Sequence, residues 1–309
     1  MIAGIAISHR DRVMYPDRGL TKLDVAKYYE AIGDWMLPHV AGRPLTLVHC
    51  PNGMSGACTF MKHSKSWGPR VLRRVQINEK KKIGEYLVAD SISAIVGIAQ
   101  MSVLEIHTWN STTDDIERPN RIVFDLDPGD NVSWPHVIAA ARLVRKALAA
   151  LDLECFVKTT GGRGLHVVAP LIPDADWSEC LEFSRGISEL VASNDPHAYT
   201  TTFAKMGRES KILLDYLRNN RTNTSIAAYS LRARPGAPVS VPVTWNELKS
   251  SLDPGAFSIE TILRRMKRRR VDPWKNYETT QQRLTSTMLK AVRVESTVHR
   301  QNQQRQHLR

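Results

Sequence analysis

Little in this chain marks it as secreted or membrane-spanning. Its 309 residues hold only four cysteines, Cys50, Cys58, Cys155 and Cys180, with no Cys-x-x-Cys among them. So few thiols exclude a small disulfide-stapled scaffold, and their scatter predicts free thiols in a reducing compartment. His49, Cys50, Cys58 and His63 offer zinc-type ligands, but at intervals that match no standard finger, and buried cysteines are the simpler expectation. No apolar run is long enough to cross a bilayer, and Met1 to His9 lacks the apolar stretch of a signal peptide, so a cytoplasmic location is expected. The chain has no internal repeat and no Gly-Lys-Ser/Thr phosphate loop.

What is there is positive charge. The net charge is +12, which favours a polyanionic partner. It is unevenly spread: from Ala256 to Arg309 there are 13 Lys or Arg against 4 Asp or Glu, leaving the preceding body nearly balanced. The run Arg264 to Arg270 is either a phosphate clamp or the solvated face of a helix; composition does not choose between them.

The most informative stretch is Arg121-Ile122-Val123-Phe124-Asp125-Leu126-Asp127-Pro128-Gly129. An apolar, β-branched run followed by Pro-Gly predicts a buried strand ending in a turn. Side chains alternate along a strand, so Asp125 and Asp127 share one face. Two carboxylates on one rigid face repel unless a cation lies between them. Hard oxygen ligands without nearby Cys point to Mg²⁺ or Mn²⁺ and to phosphoryl or nucleotidyl transfer. The alternative is a strand end that carries two acids for solubility.

Around it the pattern alternates helix and strand. Thr21 is placed to cap a helix that should stop by Pro38, with Lys22 in its first turn. A lysine at the positive end of a helix dipole suits an anionic ligand, or is an exposed residue costing a few tenths of a kcal/mol. Phe60 beside Lys62 is either a stacking surface or core. Glu105, His107 and Trp109 alternate on one strand face, so His107 either joins a polar site or is a satisfied buried imidazole. Ser133 should cap a helix to Ala150. Cys155 to Pro170 reads as a hairpin whose turn, Thr160-Gly161-Gly162-Arg163-Gly164, lets backbone N–H groups approach an oxyanion, flanked by His166. Asp215 ends the apolar strand Lys211 to Arg218 and would supply the third carboxylate of a two-metal site. Strand, helix, strand, strand, helix, strand from Arg121 to Leu217 is the β-α-β-β-α-β plan of a ferredoxin-like or RNA-recognition-type sheet.

In this order, Leu-Glu-Ile-His107-Thr-Trp, Val-Phe-Asp125-Leu-Asp127-Pro, Lys-Thr-Thr160-Gly-Gly-Arg-Gly-Leu-His166, Leu-Leu-Asp215-Tyr-Leu-Arg218-Asn and Tyr-Ser-Leu-Arg232-Ala-Arg resemble the polymerase domain of bacterial DNA ligase D, in the archaeo-eukaryotic primase superfamily. The resemblance implies an α+β, primase-like fold with an RNA-recognition-type sheet packed against an N-terminal α/β portion. The chain would divide into a catalytic domain over 1–255, with its N-terminal portion at 1–115 and its sheet at 116–255, and a basic helix and tail over 256–309. It further implies a nucleotidyltransferase that adds ribo- or deoxynucleotides to 3′ ends at gaps and double-strand breaks in non-homologous end joining. Mn²⁺ or Mg²⁺ would be held by Asp125, Asp127 and Asp215. The nucleoside triphosphate would meet Phe60, His107, Thr160, His166, Arg218 and Arg232, and a DNA 5′-phosphate would meet Arg12 and Lys22. Ku and a separate ligase are the implied partners, in the bacterial cytoplasm at the nucleoid.

The chain departs from the family pattern in three ways. Thr160 stands where Ser is usual. Thr59-Phe60-Met61-Lys62 replaces Phe-Phe-Gln-Lys and loses an aromatic. No ligase Lys-x-Asp-Gly motif is present, so a stand-alone polymerase or a separated fragment is expected. A primase that starts chains on single strands shares every catalytic residue and is the nearer alternative; a non-catalytic nucleic-acid-binding module is remote, since Asp125 and Asp127 would repel phosphate without a metal.

Overall fold

In the computed structural model the chain is described over residues 1–204, 206–269 and 271–292. Residues 293–309 of the basic tail and Arg270 of the basic run lie outside the described residues. β1 (Val13–Tyr15) pairs with β2 (Leu20–Thr21), which leads directly into α1 (Lys22–Val40). Thr21 closes a capping box there: its hydroxyl accepts from Asp24 N–H at 3.3 Å, and Asp24 accepts from Thr21 N–H at 2.8 Å. Pro38 does not stop α1. It lies within the last turn, where its missing N–H removes one helical bond, and Ala41 N–H still reaches Leu37 O at 2.9 Å.

β3 (Leu45–His49) and β4 (Thr59–Met61) form an antiparallel pair, followed by the hairpin of β5 (Arg73–Asn78) and β6 (Ile83–Val88) with Lys80, Lys81 and Lys82 exposed at its tip. One sequence expectation fails between β3 and β4. Cys50 and Cys58 are joined in a disulfide, while Cys155 and Cys180 are free and buried. The turn after β3 folds back until the two Cα atoms stand 4.3 Å apart, within bridging distance, which a spacing of eight residues did not disclose. α2 (Ile92–Gln100), capped by the Ser91 hydroxyl accepting from Ala94 N–H, precedes β7 (Val103–Thr108).

The carboxylate strand is β8 (Arg121–Pro128). After it come α3 (Trp134–Ala149), β9 (Phe156–Thr159), β10 (Leu165–Pro170), α4 (Trp177–Asn194), β11 (Tyr199–Thr200), β12 (Ile212–Asp215), β13 (Ser225–Ile226), β14 (Pro242–Val243) and α5 (Ile259–Arg268). Ser133 precedes α3 as expected, but its hydroxyl bonds His136 Nδ1 rather than a backbone N–H. The large sheet runs β11-β12-β8-β10-β9-β14, and a second sheet runs β13-β7-β3-β4. The central strands of the large sheet, β12-β8-β10-β9, are the fourth, first, third and second of a β-α-β-β-α-β unit and pair antiparallel with one another, while β11 adds to β12 in parallel. The fold is α+β.

The two faces of the large sheet differ. Ile122, Phe124 and Leu126 face the main core with Val137, Ala141 and Val144 of α3 and Phe183 and Ile187 of α4. On the opposite face Val123, Phe156 and Val168 pack with Trp274 and Tyr277, so the chain after 255 folds back onto the sheet. Ile259, Ile262 and Met266 of α5, with Leu289 and Val292, join the main core too. Among the described residues, no helix is long and apolar enough to cross a membrane.

Candidate active-site cleft

One step along the strands from that apolar row, the same face turns polar. Strand register places Lys158 opposite His166, His166 opposite Asp125, and Asp125 opposite Asp215, across β9, β10, β8 and β12. Since facing residues in a ladder share a side, the four form one transverse row, with Asp127 two residues further along β8. Asp215 Oδ1 accepts from Leu217 N–H at 2.8 Å, which begins the turn that brings Arg218 back over the acids. Arg218 Nε lies 3.1 Å from Asp125 and its NH2 nitrogen 3.0 Å from Asp215. Asn219 fixes this turn by mimicking a strand neighbour, accepting from Val123 N–H and donating to Val123 O, each at 2.8 Å. Asn219 closes the Leu-Leu-Asp215-Tyr-Leu-Arg218-Asn block, but nothing in the sequence assigned it a role.

A cleft of about 360 Å³ opens over the row, between the two sheets. It is lined by His107, Asp125, Asp127, Thr160, His166, Arg218 and Arg232, which the resemblance had brought together, and also by Arg163 and Arg234. Thr160 N–H and Oγ1 both donate to Gly164 O at 3.2 Å, closing the glycine turn. A Cβ on Gly164 would stand 2.5 Å from Leu126 O, so only glycine lets the hairpin lie this close to the carboxylate strand. Arg163 is not free to meet a ligand: its guanidinium donates to the carbonyls of Gly129, Asp130 and Val132 and ties the hairpin to the turn after β8.

His107 and Arg232 come from the second sheet and the segment beyond it. Both meet Glu105, which the sequence placed on the face of His107 without giving it a role. Glu105 is 2.8 Å from His107 Nε2, 3.1 Å from Arg232 Nε, and accepts from Ala233 N–H at 2.8 Å. Burial pushes its carboxyl up, but His107, Arg232 and the Ala233 amide outweigh this and bring it down to about 2. Arg232 also donates to Thr160 O at 2.7 Å, and Tyr15 donates to Arg232 O at 2.8 Å. Phe60 stands at the mouth, 75% exposed, its ring 6.1 Å from His107 and edge-on to it.

Arg12 and Lys22 lie outside the cleft, beside one another: Lys22 N–H donates to Arg12 O at 2.8 Å, and Arg12 donates to Pro51 O at 2.6 Å. Burial and the neighbouring Arg12 charge bring the Lys22 ammonium down to about 8, and burial and Lys22 lower His49 in turn.

The acids differ among themselves. Burial would raise Asp125, yet His166, Arg218 and Lys158 hold it well below the carboxylate range. Burial and the negative Asp125 push Asp127 up, and burial first, with Asp125 and Asp127 adding, pushes Asp215 up. Burial and Lys158 lower His166 to about 4, so the imidazole is neutral near pH 7, and its Nδ1 is buried without a partner. Among the described residues no set of three or more His, Cys, Asp or Glu is grouped tightly enough to hold a metal ion; Arg218 lies on Asp125 and Asp215, and Arg208 is 3.0 Å from Asp127. The donor chemistry nevertheless fits a hard divalent cation: all three acids are oxygen donors, and Asp127 and Asp215 are raised by burial and by the charge of Asp125, a penalty that added positive charge relieves.

The family model of the LigD primase-polymerase domain matches residues 21–274. The chain is similar to the multifunctional non-homologous end joining protein LigD of Pseudomonas aeruginosa, 36% identical over 289 residues, which cover 93% of this chain and 34% of that protein. It is similar to the protein of the same name from Mycolicibacterium smegmatis, 35% identical over 79% of this chain and 32% of that protein. It thus spans about a third of the length of these curated relatives. Among solved structures, the polymerase domain from Mycobacterium tuberculosis ligase D in complex with DNA superposes with a TM-score of 0.83 at 31% identity, covering 89% of this chain and 98% of that one.

Proposed function

The chain belongs to the LigD primase-polymerase domain family, and on that footing we propose that it is a metal-dependent nucleotidyltransferase that extends 3′ ends at DNA gaps and double-strand breaks in non-homologous end joining. The observation that carries this reading is the register of β12 on β8, which sets Asp215 beside Asp125 on the face that also carries Asp127. Asp125, Asp127 and Asp215 would hold Mn²⁺ or Mg²⁺, which when bound lowers the pKa of a primer 3′-hydroxyl and neutralises the triphosphate.

The remaining chemistry belongs to the protein's own side chains. Arg218, Arg232 and Arg234 converge on the cleft as cations for the phosphates, with Arg232 aimed by Glu105 and by the Thr160 carbonyl. The neutral His166, held between Lys158 and Asp125, donates or accepts a hydrogen bond without adding charge beside the acids. Phe60 offers an exposed ring for a nucleobase at the mouth. The Arg12 and Lys22 pair receives the 5′-phosphate on the far side of a gap, and the DNA in the complex of the M. tuberculosis domain supports DNA as the partner. Ku and a DNA ligase, on the chromosome, are the proposed working partners.

The test is incorporation of ribo- and deoxynucleotides on a gapped duplex, with and without a 5′-phosphate, with Mn²⁺ or Mg²⁺, beside Asp127→Ala. Metal-dependent extension that requires Asp127 and improves with the phosphate is expected. Synthesis confined to unprimed single strands would make the protein a primase instead.

A further inference from the structure

Trp67 is an indole displayed beside the basic pair. It is 55% exposed, and its ring lies 5.4 Å from that of His49 at an interplanar angle of 42°. A lone exposed tryptophan is ordinary on a protein surface, but the turn that carries this one is held in place. Gly68 N–H donates to Lys65 O at 2.9 Å, and Arg74 donates to Gly68 O at 2.9 Å, so a side chain of the neighbouring hairpin fixes the turn from below. Rigid display of an aromatic in water gains nothing for folding; it does gain affinity for a flat partner, because the ring is already ordered when the partner arrives.

The place of the ring defines that partner. His49 ends β3, and Cys50 and Pro51 follow it; Cys50 is locked to Cys58, and Pro51 O receives the Arg12 guanidinium. Arg12 in turn is bonded to the backbone of Lys22. The indole is exposed, His49 and Arg12 are half-buried, and Lys22 is buried but near enough to His49 for its charge to lower the imidazole. An aromatic pair adjoining fixed positive charge, anchored by a disulfide and a turn, is the arrangement that takes a base together with its phosphate.

We propose that Trp67, backed by His49, is the stacking platform for the nucleobase of the 5′-terminal nucleotide whose phosphate lies on Arg12 and Lys22. The inference rests on the 5′-phosphate reading of that pair. It adds a specificity: the site reads a complete 5′-phosphorylated nucleotide and discriminates against an end that has lost its base.

The experiment measures binding of the full chain to a fluorescent one-nucleotide-gapped duplex by anisotropy, with four downstream ends: base or abasic site, each with a 5′-phosphate or a 5′-hydroxyl. The wild type should prefer the base-bearing phosphorylated end to the abasic one by about tenfold, the typical scale for loss of one stacked base. Trp67→Ala should abolish that ratio and Trp67→Phe should restore part of it, while Lys22→Ala should lose the phosphate preference and keep the base preference. A phosphate preference that depends on Lys22, together with an unchanged base-to-abasic ratio in Trp67→Ala, would overturn the platform alone. A wild type indifferent to the 5′-phosphate would overturn the placement of the phosphate, and the platform with it.

Discussion

Asp215 faces Asp125 directly across the antiparallel pairing of β12 with β8, and Arg218 touches both carboxylates. An arginine in this position neutralises two acids that burial and proximity set against each other. A bound divalent ion would take over that neutralisation and leave Arg218 to the triphosphate.

Asp215→Asn should therefore separate stability from activity. Metal-supported incorporation is expected to fall by about a thousandfold or more, the scale for losing a preorganised charge at a reacting phosphate. Because burial and its acidic neighbours raise the Asp215 carboxyl, removing its charge should leave the thermal midpoint unchanged or higher near pH 7. A drop in midpoint that parallels the loss of activity would make Asp215 structural.

Lys22 gives the 5′-phosphate preference a pH dependence. Its ammonium is brought down to about 8 by burial and Arg12, so it is charged below that pH and loses its proton above it. The ratio of affinities for 5′-phosphate and 5′-hydroxyl gaps should fall between pH 7 and 9 in the wild type. It should stay flat in Lys22→Arg, whose guanidinium remains charged throughout. A flat wild-type ratio would remove Lys22 from the phosphate site.

Glu105 should prove a positioning residue. Glu105→Gln removes the charge that balances Arg232 and weakens the hydrogen bond to His107, and the KM for nucleotide is expected to rise about tenfold with a smaller effect on kcat; breaking such a buried ion pair costs about 3 kcal/mol of stability. The folded carboxyl lies at about 2, below its ordinary 4.5. Its stabilising contribution is thus complete above about pH 4.5 and is lost as the pH falls toward 2. Acid denaturation of Glu105→Gln should be shallower than wild type over that interval, and parallel curves would refute the assignment.

The Cys50–Cys58 bridge should be measurable in the purified protein. Thiol titration after denaturation without reductant should find two free thiols, those of Cys155 and Cys180, rather than four. Replacing Cys50 and Cys58 by serine should lower stability by about 2–3 kcal/mol on the loop-entropy scale for so short a loop. Dithiothreitol should destabilise the wild type and leave the double variant unaffected.

Much of this protein was legible along the chain because the information is local. Alternation fixed Asp125 and Asp127 to one face, the apolar run ahead of Asp215 made it a strand end, and Thr21 as a cap set the start of α1. The β-α-β-β-α-β order followed from the sequence of elements, and the motif order identified the family. What the sequence left open depends on register and on groups far apart in the chain. Whether Asp215 meets Asp125 or is displaced by a residue depends on how β12 slides on β8, and a one-residue slip would send its side chain to the helix-covered face. Glu105 acquires its role only because Arg232 and Ala233, more than a hundred residues later, fold against it. Cys50 and Cys58 reveal their bond only once the intervening turn closes, Pro38 is tolerated because it falls in a final turn, and Trp67 gains a neighbour in His49 only through the packing of a loop on a strand end. Side-chain type and spacing select the chemistry; the distances at which it operates are set by long-range packing, whose partners no short window of sequence contains.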